Sequence, residues 1–205
     1  MEKTDELFQR MQKVEHGFKE IENEANNIVQ KNSAERCLKI SKDFFSSEIY
    51  QVRALATFIL GAISSKSKEA FSFLKKNVSE DKSWQVQEIL AKAFDRYCAD
   101  IGYKAAIPVI EEWLKDRNPN VRRAVTEGLR IWTGREYFKD NPEIAIRLLS
   151  QLKDDESEYV RKSVGNALRD VSKKHRDLIA SEVKTWDTAD KRIRQTYKLA
   201  SKFLA

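Results

Sequence analysis

The chain has 205 residues, 41% of them hydrophobic and 34% charged, with 38 Lys+Arg against 32 Asp+Glu for a formal net charge of +6. That length can bury a sizeable core, while six Gly and three Pro leave little material for hairpins or long loops. No stretch approaches the roughly 18 apolar residues of a membrane span, and the start, MEKTDELFQRMQKVEHGFKEIENEA, is too charged for a signal peptide.

From the amino terminus, Leu7, Phe8, Met11, Val14, Phe18 and Ile21 fall on one stripe, as expected of a helix capping the stack. From Glu48 onward one phrase recurs: EIYQVRALATFILGAI (48–63), KSWQVQEILAKAFDRY (82–97), RNPNVRRAVTEGLRIW (117–132) and ESEYVRKSVGNALRDV (156–171). A weaker fifth, DKRIRQTYKLASKFL, begins at Asp190. The leading apolar residues are Val52, Val86, Val121, Val160 and Ile193, separated by 34, 35, 39 and 33 residues. A period of this size with helical spacing predicts stacked helix pairs, because one pair cannot bury its apolar face alone.

Each phrase reads as the second helix of a pair. First helices are expected at FSFLKKNVS after Lys68, at AAIPVIEEWLKD around Pro108, and at PEIAIRLLSQLKDD, where Pro142 suits a first turn. The polar connectors KDRNPN and KDDESE turn the chain between them. The expected fold is therefore all-α, a HEAT-like helical-repeat solenoid in one domain over residues 1–205. Capping helices would cover about 1–45 and repeats about 46–205.

In such a superhelix the second helices line the concave face. Arg53, Arg122, Arg123, Arg130, Arg161, Lys162, Arg169, Lys173, Lys174 and Arg194 would then form a basic stripe, the footprint of a phosphate-binding groove. A structural alternative stays open for the Arg after each leading Val: Arg122 and Arg161 could pair with an Asp of a neighbouring repeat, with Asp116, Asp154 and Asp155 available.

His16 and His175 sit in dissimilar contexts, and the isolated glycines form no phosphate loop, so a metal, a His-based triad and a nucleotide cofactor are all unexpected. Cys37 and Cys98 fit no metal or redox spacing and read as reduced thiols of a cytoplasmic protein. Carboxylates, aromatics and arginines remain for any chemistry.

The segments VRRAVTEGLRIW and SEYVRKSVGNALRDVSKKH resemble the AlkC/AlkD family of HEAT-like-repeat DNA glycosylases, and the likeness extends over about Gln51 to Trp186. The resemblance implies excision of alkylated bases from DNA by a curved, cationic helical surface. A groove that takes alkylated or distorted double-stranded DNA suits a monomer, expected in the cytoplasm at the nucleoid and without cofactor. In KSWQVQE it places the family's Trp and acid at Trp84 and Glu88, and an acid of the Glu kind leans toward the AlkC type. It places the cleft Arg at Arg123, a cleft aromatic at Trp132 and a second acid at Asp170 in NALRD. Asn166 stands where the AlkD type has a further Trp, and the immunoglobulin-like domain of longer AlkC proteins is not expected beyond the last helix.

Those residue types suit the chemistry. A 3-methyladenine nucleotide is cationic, and its charge passes to the sugar as the glycosidic bond breaks. A carboxylate beside the sugar would stabilise that oxocarbenium-like centre and position water, a role for Glu88 first and Asp170 second. Indole faces attract the cation, and Arg123 would hold a neighbouring phosphate. Each residue also has a plainer reading. Glu88 could pair with Lys82 or Lys92, Asp170 with Arg169 or Lys173, and the tryptophans could close the core. Two further readings of the whole remain open: a non-catalytic module for branched or damaged DNA, and a protein–protein scaffold.

Overall fold

The computed structural model describes residues 2–204, with side chains described for all of these except 2–4, 131, 132 and 136. Every regular element among them is helical, and the chain divides into two compact units, 1–101 and 102–205.

The first unit contains α1 (Glu2–Gln12), α2 (Lys19–Gln30), α3 (Ala34–Phe45), α4 (Tyr50–Ile63), α5 (Lys68–Lys76) and α6 (Trp84–Ile101), with a 3-10 turn at Val78–Glu80. Its centre is α4, whose sequence YQVRALATFILGAI is apolar on nearly every side and packs against α1, α2, α3, α5 and α6. A helix hydrophobic all round is one that neighbours enclose. The amino-terminal stripe is carried by two helices: Gly17, at φ +73°, turns the chain between α1 and α2. Only glycine takes that backbone region without strain. Met11, Val14 and Ile21 are buried, while Leu7, Phe8 and Phe18 remain partly exposed.

The second unit contains α7 (Tyr103–Leu114), α8 (Pro119–Trp132), α9 (Glu136–Asp140), α10 (Pro142–Ser150), α11 (Glu158–Ser172), α12 (Arg176–Lys184) and α13 (Lys191–Ala200). Here α11 is central, packed by α8, α10, α12 and α13. Pro142 opens α10 as expected, and Ser157 caps α11 by accepting from the Val160 N–H. The helices α9 and α12 had no counterpart in the sequence pattern; α12 is the first helix of the fifth pair.

The repeat register holds. Val52, Val86, Val121 and Val160 are each fully buried, whereas Ile193 of the weaker fifth phrase is half-buried. Burying one such side chain contributes roughly 1.5–3 kcal/mol, so the valine of the first four periods is a recurring anchor for the second helices α4, α6, α8 and α11. Two glycines set how closely these helices approach. A Cβ on Gly61 of α4 would meet Ala93 Cβ of α6 at 2.7 Å, and one on Gly165 of α11 would meet Leu199 Cβ of α13 at 2.6 Å.

Candidate nucleic-acid interface

The residue after each leading Val has a fixed job. Arg122 Nη1 reaches back six and five residues to the carbonyls of Asp116 (2.7 Å) and Arg117 (3.0 Å), while its Nε and Nη2 grip both carboxylate oxygens of Asp155 at 2.7 Å. Arg53 does the same with Ser47 O and Glu48 O at 2.9 Å and with the Asp81 carboxylate at 2.6 and 3.2 Å. Arg161 donates to Asp155 O and Glu156 O at 2.5 and 3.0 Å, and its forward partner is Gln195 Oε1 at 3.0 and 2.8 Å. Gln87 Nε2 makes the backward contact alone, to Asp81 O at 2.8 Å along with Val78 O and Ser79 O. The aspartates also brace their own connectors, since Asp81, Asp116 and Asp155 each accept the N–H two residues on at 2.8 Å.

This ladder gives three cations of the expected basic stripe internal partners. A guanidinium has five N–H donors, and four hydrogen bonds are already drawn from each of Arg53, Arg122 and Arg161. They tie one repeat to the next and have little left for phosphate. The structural alternative read from the connectors is the one realised for Arg122, with Asp155; Arg161 binds Gln195 instead of an aspartate side chain.

A second polar cluster joins α8 to α11. Arg130 donates to Glu127 Oε2 at 2.9 Å and to Asp170 Oδ2 at 3.1 Å. Lys173 Nζ lies 3.1 Å and Arg169 Nη2 3.6 Å from Asp170 Oδ1. Ser163 donates to Glu127 Oε1 at 2.7 Å and shares a 2.7 Å hydrogen bond with Thr126. Arg123 is buried, 3.7 Å from Glu127, with its guanidinium 4.3 Å from the Tyr159 ring centroid. Burial alone would raise the Asp170 pKa, but hydrogen bonds from Lys173 and Arg130 and their charges outweigh it, and the carboxyl sits below its ordinary value. Asp170 is therefore an anion at neutral pH with cations already around it.

The expected site residues separate accordingly. Asp170, Arg130, Arg169 and Lys173 come together, and Arg123 joins them through Glu127, a residue that sequence reasoning passed over. Its signal was present: Glu127 lies four residues after Arg123 and three before Arg130, the helical spacing for pairing. Lys162 pairs with Glu158 at 2.7 Å on the surface, and Lys174 is exposed. In the first unit, Trp84 opens α6 with 62% of its surface exposed, and half-buried Glu88 follows one turn later on the same face. Trp84 is thus no core residue, in contrast to Trp113 and Trp186, which are buried. The Trp132 side chain lies outside the described residues. Cys37 and Cys98 are buried free thiols, and burial, helped by Asp95, pushes the Cys98 pKa far up. Among the described residues no group of three or more His, Cys, Asp or Glu could hold a metal ion, and no helix is long and apolar enough to cross a membrane.

All-helical pairs in register, with arginines and carboxylates gathered on their second helices, define a HEAT-like repeat protein. A family profile described as DNA alkylation repair enzyme matches residues 15–201, and the chain belongs to that family. It is similar to AlkD2 from Streptococcus mutans, with 52% identity, 99% of this chain and 98% of that chain covered, and a TM-score of 0.96. The alkylpurine DNA glycosylase AlkC of Pseudomonas fluorescens, solved bound to DNA containing an abasic site analog, shares the fold at 20% identity. That match covers 91% of this chain and 62% of AlkC, with a TM-score of 0.53. The protein YhaZ of Bacillus subtilis (strain 168) is 38% identical over an alignment of 78 residues that covers 36% of this chain and 22% of YhaZ.

Proposed function

We propose that the protein works in DNA alkylation repair by binding alkylated or distorted double-stranded DNA as a monomer and releasing cationic N-alkylated purines such as 3-methyladenine. The observation that carries this reading is the pair on the first turns of α6: Trp84 stands 62% exposed where a solvent-facing indole has no packing role, and Glu88 lies one turn behind it. The indole face would attract the cationic nucleotide. The Glu88 carboxylate would stabilise the positive charge that develops on the sugar as the base leaves with the bonding electrons, and would orient the water that completes hydrolysis. Family membership supports the repair setting, and the cytoplasm at the nucleoid is the place for such work.

One observation favours a second reading, binding without excision. Asp170, the other candidate acid, is matched by Arg130 and Lys173 at 3.1 Å each, so it offers a developing cation little net negative charge. Base release from methylated duplex DNA distinguishes the two. The unmodified protein is expected to release base, Glu88→Gln to lose at least about tenfold in single-turnover rate, and Asp170→Asn to lose less. Removing an electrostatic partner of the transition state costs on the order of 10²-fold. No release by the unmodified protein, with duplex binding intact, would overturn excision and leave the binding reading standing.

A further inference from the structure

With the ladder arginines committed, the cations able to meet phosphate must lie elsewhere. We propose that the amino-terminal part of α13 is a phosphodiester-binding patch, in which Lys191, Arg192, Arg194 and Lys198 contact the backbone of bound duplex DNA. This rests on the DNA-binding part of the function proposed above and adds where on the chain phosphates are held.

All four side chains are exposed, and none makes an ion pair among the described residues. They contrast with Arg53, Arg122, Arg130 and Arg161, whose guanidinium groups already hold internal partners. The four also line two adjoining concavities rather than a convex surface. One, of about 630 Å³, is lined by all four together with Arg161 and Gln195. The other, of about 470 Å³, shares Arg194 and Lys198 and is walled by Trp186 and Tyr197. Glu158, the single acid on the first concavity, is already held by Lys162 at 2.7 Å.

The placement works against the helix that carries it. Three of the cations sit in the first turn of α13, where the macrodipole disfavours positive charge, and no acid lies within the helix. Asp190 caps the helix, accepting from the Arg192 and Ile193 N–H groups at 2.7 and 3.1 Å. The backbone donors are thus used, and any anion must be held by the side chains. Cations that lower the stability of their own helix and make no ion pair among the described residues make sense when an external polyanion supplies the missing charge. From residue 191 to 198 the helix rises roughly 10 Å, about three base-pair steps along a DNA strand. A row of that length fits successive phosphates better than one isolated anion.

The test is fluorescence anisotropy of a labelled duplex titrated with the full-length protein over a salt series. Replacing all four residues with glutamine (Lys191→Gln, Arg192→Gln, Arg194→Gln, Lys198→Gln) is expected to weaken binding at least about tenfold at low salt. It should also make the slope of log K against log salt shallower by about 3.6, at roughly 0.9 for each of the four phosphates no longer neutralised. A control of equal charge change (Lys19→Gln, Lys31→Gln, Lys39→Gln, Lys66→Gln) should keep the slope of the unmodified protein. Because the dipole disfavours the replaced cations, the α13 variant should melt no lower than the unmodified protein, which separates weaker phosphate binding from unfolding. A double variant, Arg194→Gln with Lys198→Gln, should show about half the slope change. If the α13 variant keeps the unmodified slope, or changes no more than the control, the patch is wrong while DNA binding stands. If the unmodified protein fails to bind duplex even at low salt, the DNA reading falls and this inference with it. Binding of polyglutamate but not duplex would assign the patch to an acidic protein partner and overturn the proposal.

Discussion

At the scale of single residues, the main result is that identical residue types do different work according to their partners. Asp155 is nearly buried, bridges Arg122 bidentately and also holds the Ser157 N–H. Removing one partner leaves the other charge in a poorly solvated place, at a cost of about 3 kcal/mol. Asp155→Ala should therefore lower the denaturation midpoint markedly. Arg122→Gln should do the same while leaving the salt slope of DNA binding unchanged; a shallower slope would show that Arg122 does contact phosphate.

Asp170 makes a different prediction. Its folded-state pKa is depressed, so its stabilisation is present above the unfolded value of about 3.9 and is lost as pH falls through the lower folded value. The stability difference between the unmodified protein and Asp170→Asn should be constant above about pH 5 and shrink below about pH 4. Urea unfolding across that range measures it, and a difference that grows with acid would contradict the ion-pair assignment.

At the scale of elements, the packing of inner helix on inner helix decides tolerance. Gly61 and Gly165 read in the sequence as isolated helical glycines, ordinarily improved by alanine through helix propensity, by up to about 1 kcal/mol. The structure reverses the sign. An added Cβ at Gly61 meets Ala93 Cβ at 2.7 Å and Cα at 2.9 Å, and at Gly165 it meets Leu199 Cβ at 2.6 Å and the Thr196 carbonyl at 3.0 Å. Backbone has to move in both cases, so overpacking of about 1–3 kcal/mol should outweigh the propensity gain. Gly61→Ala and Gly165→Ala should each lower the melting temperature, and a rise at either would show that the helices yield. The stripe split at Gly17 belongs to this scale too. A hydrophobic period of about 3.6 residues continues in phase through a short turn, so periodicity alone does not register the break between α1 and α2.

At the scale of the whole chain, a net charge of +6 is a poor guide to where an acidic partner would sit. Most of the arginines counted for the stripe are spent on internal partners. A cluster of exposed cations outside the internal ion pairs lies on α13, in the repeat that matches least well. The matched-charge comparison between α13 and the control lysines is at bottom a whole-molecule measurement. It asks whether location or total charge governs binding.

The repeat register, the all-helical class, the first helices at Pro108 and Pro142 and the family itself were all legible in the linear sequence. They rest on local periodicity and on phrases whose spacing survives translation into structure. Even the ladder was half visible, as an Arg after three of the four leading valines and an Asp in the connectors ahead of Val86, Val121 and Val160. What only the tertiary structure decided is which of those charges meet. Asp155 serves as backbone hook for Arg161 and as counter-ion for Arg122, 33 residues earlier. Asp170 turns to Arg130, 40 residues earlier. Partners that far apart are chosen by how one helix pair stacks on the next. The same guanidinium is a structural tie or a phosphate ligand according to whether its donors are already filled.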